Sequence, residues 1–364
     1  MLNRRNARFR ALSRGAHVTD PRLKTRENPL PLRGCAGRIG IFRARHLGDM
    51  LCAVPALRAL RTACPEARIT VIGLPWAHEL IARYRHYVDD FLAFPGRPQL
   101  PETNVGYAAY ARFREAFPKD CDWLIQLHGD GRVTNAIVGQ WPAQRMAGFA
   151  RGGGRCNRFF LPYPSGHEID RFLALVRYLA GDSPADLWFP LRAEDCARLK
   201  ETAPFSDLFD ALYVVVHPGS RNPQRRLAPA FFTQAPAFFT QAVAWLASKV
   251  RVVLTGGREE RDRNAHIAQN TTCAINAVGM TSLVDLGVLI ARARCIVTND
   301  SGSAHLAAAL GTPSLVAVSA SDPARWAPKN TWRHRVLDAH SGLAGARFLR
   351  MVRDLYEDTG RAVC

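Results

Sequence analysis

The chain has 364 residues, of which 48% are hydrophobic and 22% charged, and it carries a formal net charge of +18 at pH 7. This composition is typical of a globular protein with room for two domains, and it excludes an intrinsically disordered chain. No apolar segment qualifies as a transmembrane helix, and the nine cysteines include no C-x-x-C pair, so we expect reduced thiols rather than a disulfide framework.

Residues 1–37 differ in composition from the rest of the chain. They contain nine Lys and Arg against two Asp and Glu, and they have no apolar run of the kind found in a secretory signal. We expect a disordered basic tail, or a start codon assigned too far upstream. An arm that touches a membrane is the functional alternative.

Short apolar strands alternate with helices from residue 38 to residue 190, with the first strands predicted at 39–42, 69–72 and 123–127. This alternation predicts a parallel sheet covered by helices on both faces. A looser segment at 191–210 is predicted to be a linker, after which the alternation restarts and continues to residue 341. The fold class is therefore α/β, with two doubly wound, Rossmann-like domains.

Polar residues follow the first predicted strand, where Arg45, His46, Gly48 and Asp49 precede an amphipathic helix. Ligands of open α/β sheets bind at the carboxyl ends of the strands, and a carboxylate placed there can act as a general base. The alternative for Asp49 is the N-cap of the following helix, a position where Asp is favoured.

Two strands of the second half also end in polar loops. Ser220, Arg225 and Arg226 follow the strand at 213–217 and form a candidate phosphate clamp, although both arginines could be ordinary surface residues. Glu259 and Glu260 follow Gly256-Gly257, where a carboxylate can accept hydrogen bonds from ribose hydroxyls. Acidic residues in the first turn of a helix are the alternative for that pair.

Segment 297–316 is the most informative part of the chain. A buried strand runs into a turn at 299–303, a helix of small residues follows at 304–310, and a second strand is predicted at 314–318. The start of such a helix binds phosphate through its unpaired N–H groups and its dipole. Asp300, Ser303 and His305 are placed to reach a group bound there.

Taken together, segments 39–61, 214–226, 252–260 and 297–316 resemble glycosyltransferase family 9, the heptosyltransferases that build the inner core of bacterial lipopolysaccharide. The resemblance runs from about residue 38 to about residue 326, with the segments in the family's order. It implies the GT-B architecture, in which domain 38–190 faces the acceptor, domain 211–341 binds the nucleotide sugar, and a deep cleft separates them. It also implies that a final helix, within 342–364, can pack back on the first domain.

The resemblance implies inverting, metal-independent transfer of heptose from ADP-heptose to a lipopolysaccharide core acceptor, and it maps Asp49 onto the family's catalytic base. The donor-binding residues that it implies are Ser220, Arg225, Arg226, Glu259, Glu260, Asp300, Ser301, Gly302, Ser303 and His305. Those on the acceptor side are His46, Gly48, His128 and Asp130. Which of the two glutamates binds ribose stays open, and His128 and Asp130 could equally form a simple turn.

The basic charge requires an anionic partner. Because the chain has no recognisable nucleic-acid module, we expect no nucleic acid, and the partners are instead an anionic lipopolysaccharide precursor and the inner, cytoplasmic face of the bacterial inner membrane. No cofactor or metal is expected, because the chain lacks a D-x-D signature or a carboxylate cluster. The rival functions are a nucleotide-sugar epimerase or hydrolase of the same architecture, and a non-catalytic basic protein that binds membrane or nucleic acid.

One segment is an exact repeat, because residues 229–235 recur as 236–242. In the second copy Phe239, Ala242, Val243 and Leu246 have helical spacing and predict a core-facing helix that begins at Pro236. The first copy is then a surplus loop or short turn.

Overall fold

The computed structural model of the protein describes residues 31–97, 99–100, 107–151, 159–220, 235–269, 274–339 and 344–361. Its architecture is two six-stranded sheets, each with helices on both sides. Every strand pair in both sheets is parallel. The predicted α/β class with two doubly wound domains is confirmed.

The first sheet has the strand order β3-β2-β1-β4-β5-β6. Its strands are Arg38–Phe42 (β1), Arg68–Gly73 (β2), Asp90–Ala93 (β3), Trp123–Gln126 (β4), Arg145–Ala150 (β5) and Phe160–Pro162 (β6). Its helices are Leu47–Leu51, Val54–Ala63, Ala77–Ile81, Tyr107–Ala116, Thr134–Val138 and Glu168–Leu179, and a 3-10 turn covers Ala82–Tyr84. The strand order reverses between β1 and β4, which is the point where doubly wound sheets bind ligands.

The second sheet has the order β12-β11-β10-β7-β8-β9, so its strands follow the same winding as those of the first sheet. They are Tyr213–His217 (β7), Arg251–Leu254 (β8), Ala274–Asn276 (β9), Ile296–Asn299 (β10), Ser314–Val318 (β11) and His334–Asp338 (β12). The helices of this half are Ala193–Lys200, Ala235–Ala247, Arg261–Gln269, Leu283–Arg292, Gly302–Leu310, Pro323–Trp326 and Ala344–Arg361, with a 3-10 turn at Arg258–Glu260. The order reverses here between β7 and β10.

Two boundaries differ from those expected. The end of the predicted tail packs on the first domain: Leu32 is fully buried, and its N–H donates to the Leu179 carbonyl at 2.9 Å. Residues 1–30 lie outside the described part of the chain. The expected linker 191–210 contains helix Ala193–Lys200, which packs on helix Leu283–Arg292 of the second domain and buries Leu199.

The final helix, Ala344–Arg361, does not pack on the first domain as the resemblance implied. Its apolar side chains Phe348, Val352 and Leu355 are buried in the core of the second domain, and the Phe348 ring lies 5.1 Å from that of Phe239. The helix therefore covers β11 and β12. The second copy of the repeat lies in helix Ala235–Ala247 and its predicted apolar face is buried, whereas 229–234 fall outside the described residues.

Candidate active site between the two domains

A cavity of about 770 Å³ lies between the carboxyl ends of the two sheets. The first domain contributes the run from Arg45 to Asp49 and the indole of Trp76. The second domain contributes His217, Ser220, Gly256, Gly257, Glu259, Glu260, Thr281, Ser282, Leu283, Leu286, Ser301, Gly302, Ser303, His305, Arg325 and Trp326. Both switch points of the sheets therefore face one shared space.

Asp49 lies in helix Leu47–Leu51, which begins after the loop that follows β1. His46, not Asp49, is the N-cap of this helix, so the N-cap alternative for Asp49 is wrong. The Asp49 side chain is 14% exposed and lines the cavity. Its Oδ1 lies 3.2 Å from Nη2 of Arg43, an ion pair that fixes the carboxylate at the wall of the cavity.

Arg43 was not predicted as a site residue, although it is almost fully buried beneath the cavity. Its Nε donates to the Asp49 carbonyl at 2.8 Å, its Nη1 donates to the Leu127 carbonyl, and its guanidinium lies over the ring of Phe172. A buried guanidinium needs its charge compensated. Asp49 and Glu168, which lies 3.5 Å away, supply that compensation.

Helix Gly302–Leu310 begins at the wall of the cavity and packs against the helix that carries Asp49. Ser301 is its N-cap in extended conformation, and the hydroxyl of Ser303 lies 2.7 Å from those of Ser301 and Thr298. The N–H groups of a first helical turn have no partner within the helix, and they lie at the positive end of its dipole. Ser301, Gly302 and Ser303 bring this end to the cavity.

Asp300 is placed differently from its predicted neighbours. It is buried, it does not line the cavity, and its carboxylate accepts a hydrogen bond from Ser321. In this structure Asp300 holds the turn in place and does not present its carboxylate to the cavity.

His305 lines the cavity and packs against the first domain. Its Nδ1 is 3.6 Å from the thiol of Cys52, and its ring stands edge-on to that of Trp326. A Cβ added to Gly48 would lie 2.4 Å from Cδ2 of His305, and one added to Gly302 would lie 2.9 Å from Cβ of Leu47. Both glycines are therefore required by the close approach of the two helices.

The part of the cavity that follows β8 contains two glutamates in different environments. Glu259 is exposed, whereas Glu260 is buried, and its Oε2 accepts the N–H of Gly257 at 2.9 Å. The other oxygen, Oε1, is buried and finds no hydrogen-bond partner among the described residues. Ser220 lines the cavity beside this pair, and Arg225 and Arg226 lie outside the described residues.

His217 was missed by the sequence analysis, although it ends β7 and lines the cavity. Its Nδ1 is 3.0 Å from the Thr255 hydroxyl. Burial lowers the pKa of His217, although the negative charge of Glu260 acts to raise it. The ring of His217 is therefore neutral at pH 7. A signal was present, because the histidine follows three valines at a strand end.

Two of the predicted acceptor-side residues do not reach the cavity. His128 is buried, stacks on Phe42 and accepts the N–H of Ala44, and burial lowers its pKa well below the usual range. Asp130 pairs with Arg132 and Arg151 in the turn. His128 and Asp130 therefore belong to a turn and do not form part of the cavity wall. His46 and Gly48, in contrast, line the cavity.

Glu168 joins the two domains and was also missed. It lies in the first turn of helix Glu168–Leu179, and its carboxylate contacts Arg325 of the second domain at 2.9 Å and Arg171 at 3.2 Å. Burial alone would raise its pKa, but Arg43, Arg325 and Arg171 together hold the pKa of Glu168 below its usual range. It is therefore ionised at neutral pH.

Within the described residues, no group of three or more His, Cys, Asp and Glu side chains comes together as a metal site. None of the helices in that part of the chain combines the length and apolar character needed to cross a membrane.

Two doubly wound domains that face each other across such a cavity define the GT-B class of glycosyltransferases, as predicted. Solved structures share this fold: a family 9 glycosyltransferase from Veillonella parvula superposes with a TM-score of 0.71 at 19% identity, over 89% of this chain and 97% of that one. The E. coli ADP-heptose lipopolysaccharide heptosyltransferase II superposes with a TM-score of 0.67 at 20% identity, over 88% and 99%.

Sequence comparison adds the family. Residues 157–342 match the model of glycosyltransferase family 9 (heptosyltransferase). The chain is also 30% identical over 335 residues to lipopolysaccharide heptosyltransferase 3 of Escherichia coli. This match covers 82% of this chain and 87% of that protein. The protein belongs to glycosyltransferase family 9 and is a glycosyltransferase.

Proposed function

We propose that the protein transfers a heptose from ADP-heptose to the core of a lipopolysaccharide precursor, with inversion at the anomeric carbon. The observation that carries the proposal is the shared cavity, because the Asp49 carboxylate and the start of helix Gly302–Leu310 line it from opposite domains. An anion bound at the helix start and an alcohol beside the carboxylate would meet between them.

The second domain holds the donor. The N–H groups of Ser301, Gly302 and Ser303 bind the diphosphate and offset the charge that develops as it leaves. Ser220 lines the cavity and contributes a hydroxyl to that clamp, and for Arg225 and Arg226, which follow it in the sequence, we propose the role of further phosphate ligands. Oε1 of Glu260, which has no partner in the described part of the chain, supplies an acceptor for a ribose hydroxyl, so we assign ribose to Glu260 rather than Glu259.

The first domain supplies the base. Asp49 takes the proton of the acceptor hydroxyl while that oxygen attacks the anomeric carbon from the face opposite the diphosphate, which inverts the configuration. Because the backbone dipoles and arginines supply the positive charge, the mechanism needs no divalent metal.

The acceptor is an anionic lipid at the inner face of the bacterial inner membrane, where the enzyme acts as a peripheral protein. Two observations support this assignment: the formal net charge is +18, and the E. coli relative is named as a lipopolysaccharide heptosyltransferase. Basic surfaces are attracted to anionic lipid head groups.

A transfer assay tests the proposal. The enzyme is incubated with ADP-heptose and with purified lipopolysaccharides truncated at successive core positions, and ADP release and acceptor mass are measured. We expect ADP release that depends on the acceptor, together with a gain of one heptose on one truncated form. ADP release without acceptor would favour a hydrolase, and turnover of the sugar without ADP release would favour an epimerase.

Asp49→Asn tests the base. The amide keeps the size of the side chain but cannot accept a proton, so kcat should fall about 10²- to 10⁴-fold with little change in the affinity for ADP-heptose. Asp170→Asn, on an exposed carboxylate outside the cavity, is the control. An Asp49→Asn enzyme with the wild-type kcat would remove Asp49 from the mechanism.

A further inference from the structure

A chain of buried charges runs from Asp49 to the second domain. Nη2 of Arg43 lies 3.2 Å from Oδ1 of Asp49 and 3.5 Å from Oε1 of Glu168. The other oxygen of Glu168 lies 2.9 Å from Nε of Arg325, which lines the cavity from the second domain. One arginine therefore contacts both the proposed base and the carboxylate that binds the opposite domain.

Because these groups are buried, the position of each one depends on its charged partners. The side chains of Arg43 and Glu168 are each only 2% exposed, so water cannot replace a lost partner. Glu168 has three arginine partners, and if Arg325 moves away it keeps only Arg43 and Arg171. Its attraction for Arg43 is then shared with one arginine fewer, and we expect the guanidinium to shift toward Glu168 and away from Asp49.

We infer that Arg43 and Glu168 are positioning residues, which hold the Asp49 carboxylate in its reactive orientation when Arg325 of the second domain is bound to Glu168. The inference rests on the proposed role of Asp49 as the base. It assigns to Glu168 an effect on the chemical step, although Glu168 itself does not line the cavity.

The same helix offers a matched control. Asp170 lies two residues from Glu168 and also forms an ion pair with the second domain, at 2.6 Å from Nζ of Lys329. Both members of this second pair are exposed, and the structure gives it no contact with Arg43 or Asp49. Asp170→Asn therefore removes an interdomain ion pair without touching the charge chain.

The experiment compares Glu168→Gln, Asp170→Asn and the wild type for kcat, for the KM of ADP-heptose and for the urea midpoint of unfolding. We expect Glu168→Gln to lower kcat about 10- to 100-fold, because a small misplacement of a reacting group has effects of that size, while KM changes by less than about threefold. Asp170→Asn should stay within about twofold of the wild-type kcat.

A double-mutant cycle separates positioning from general structural damage. If Glu168 acts through Asp49, then Glu168→Gln in the Asp49→Asn background should lower the residual single-turnover rate by no more than about twofold. An equal fold-loss in both backgrounds would overturn the inference, as would a wild-type kcat for Glu168→Gln. If Glu168→Gln does not fold, Arg325→Gln replaces it in the same cycle and the same two results decide.

Failure of this inference is distinguishable from failure of the proposed function. An inactive wild-type protein, or an active Asp49→Asn variant, would refute the proposed transfer or its base. Additive losses, with Asp49→Asn slowed as expected, would refute only the positioning role.

Discussion

Gly48 lies where the two domains are in close contact, and its lack of a side chain is a packing requirement. Alanine there would gain up to about 1 kcal/mol of helix propensity. However, its methyl group would lie 2.4 Å from Cδ2 of His305, and overpacking of this kind costs about 1–3 kcal/mol. The steric cost therefore exceeds the gain in helix propensity.

Gly48→Ala should therefore lower the free energy of unfolding by about 1–2 kcal/mol, measured by urea titration. In a His305→Ala background the clash partner is absent, so the same substitution should have little effect or be slightly stabilising. An equal loss in both backgrounds would mean that His305 is not the residue that excludes the methyl group.

The segment that joins the domains is fixed to the first domain by arginines. Nη2 of Arg83 donates to the Pro190 carbonyl at 2.9 Å, and its guanidinium pairs with Asp195, both side chains being largely buried. Arg58 donates in the same way to Ser183. The connection between the domains is therefore constrained along its length.

Arg83→Met should lower the stability by about 3 kcal/mol, because it leaves Asp195 and the Pro190 carbonyl without their partner. The measurement is the urea midpoint with an unchanged m-value. Arg85→Met is the matched control: Arg85 is exposed and donates to the nearby Asp89 carbonyl, so less than about 0.5 kcal/mol is expected. Equal losses for both variants would mean that Arg83 contributes no more than a surface arginine.

Strands formed by buried apolar runs, and the polar residues that come directly after them, could be predicted from the sequence. Strand Tyr213–His217 was predicted with its observed bounds. Gly48 and Asp49 were found as candidates because they interrupt a run of apolar residues, although they lie in helix Leu47–Leu51. Strands such as Asp90–Ala93 were missed, because they lie at a sheet edge, are half-exposed and lack an apolar run. Helix Ala193–Lys200 was mistaken for a linker because half of its residues are charged and it is short.

The candidate site was predictable only where its residues are near one another in sequence. Arg43 and Glu168 are 125 positions apart, and a lone buried charge gives no local pattern that identifies its partner. The final helix shows the same limit: its amphipathic spacing predicts a helix, but the spacing does not encode which domain receives the apolar face.

Buried histidines in both domains make the fold sensitive to acid. Burial, assisted by the charge of Arg333, lowers the pKa of His334 from 6.5 to about 4, and burial also lowers the pKa values of His128 and His167. As the pH falls below about 6.5, the unfolded chain binds protons that the folded protein excludes. Stability is therefore complete above that pH and is lost progressively toward pH 4.

The free energy of unfolding, measured by urea titration, should fall between pH 7 and pH 5. The fall should be at most about 1.4 kcal/mol per pH unit for each such histidine. His334→Asn should reduce this pH slope, whatever it does to the stability at pH 7. His78→Asn, at an exposed position, is the control and should leave the slope unchanged. A slope identical in all three proteins would exclude His334 as a source of the acid sensitivity.

The net charge of +18 leads to a second expectation for the protein as a whole. The protein should sediment with vesicles that contain anionic phosphatidylglycerol at low salt. It should be released at about 1 M salt, where the screening length is about 3 Å. Neutral phosphatidylcholine vesicles are the control, and a variant without residues 1–30 measures the contribution of the basic segment. Binding that is the same at low and high salt, and on anionic and neutral vesicles, would contradict electrostatic attachment.

The pairing of Glu168 with Arg325 has a consequence for engineering. Chimaeras that join the first half of this chain to the second half of a relative with another sugar preference must carry an arginine at position 325 and a glycine at position 302 into the new half. A graft without the arginine would leave the buried Glu168 without its ion-pair partner in the second domain, and one without the glycine would force Leu47 aside. Compatibility of two such halves can therefore be screened at these two positions before any hybrid is made.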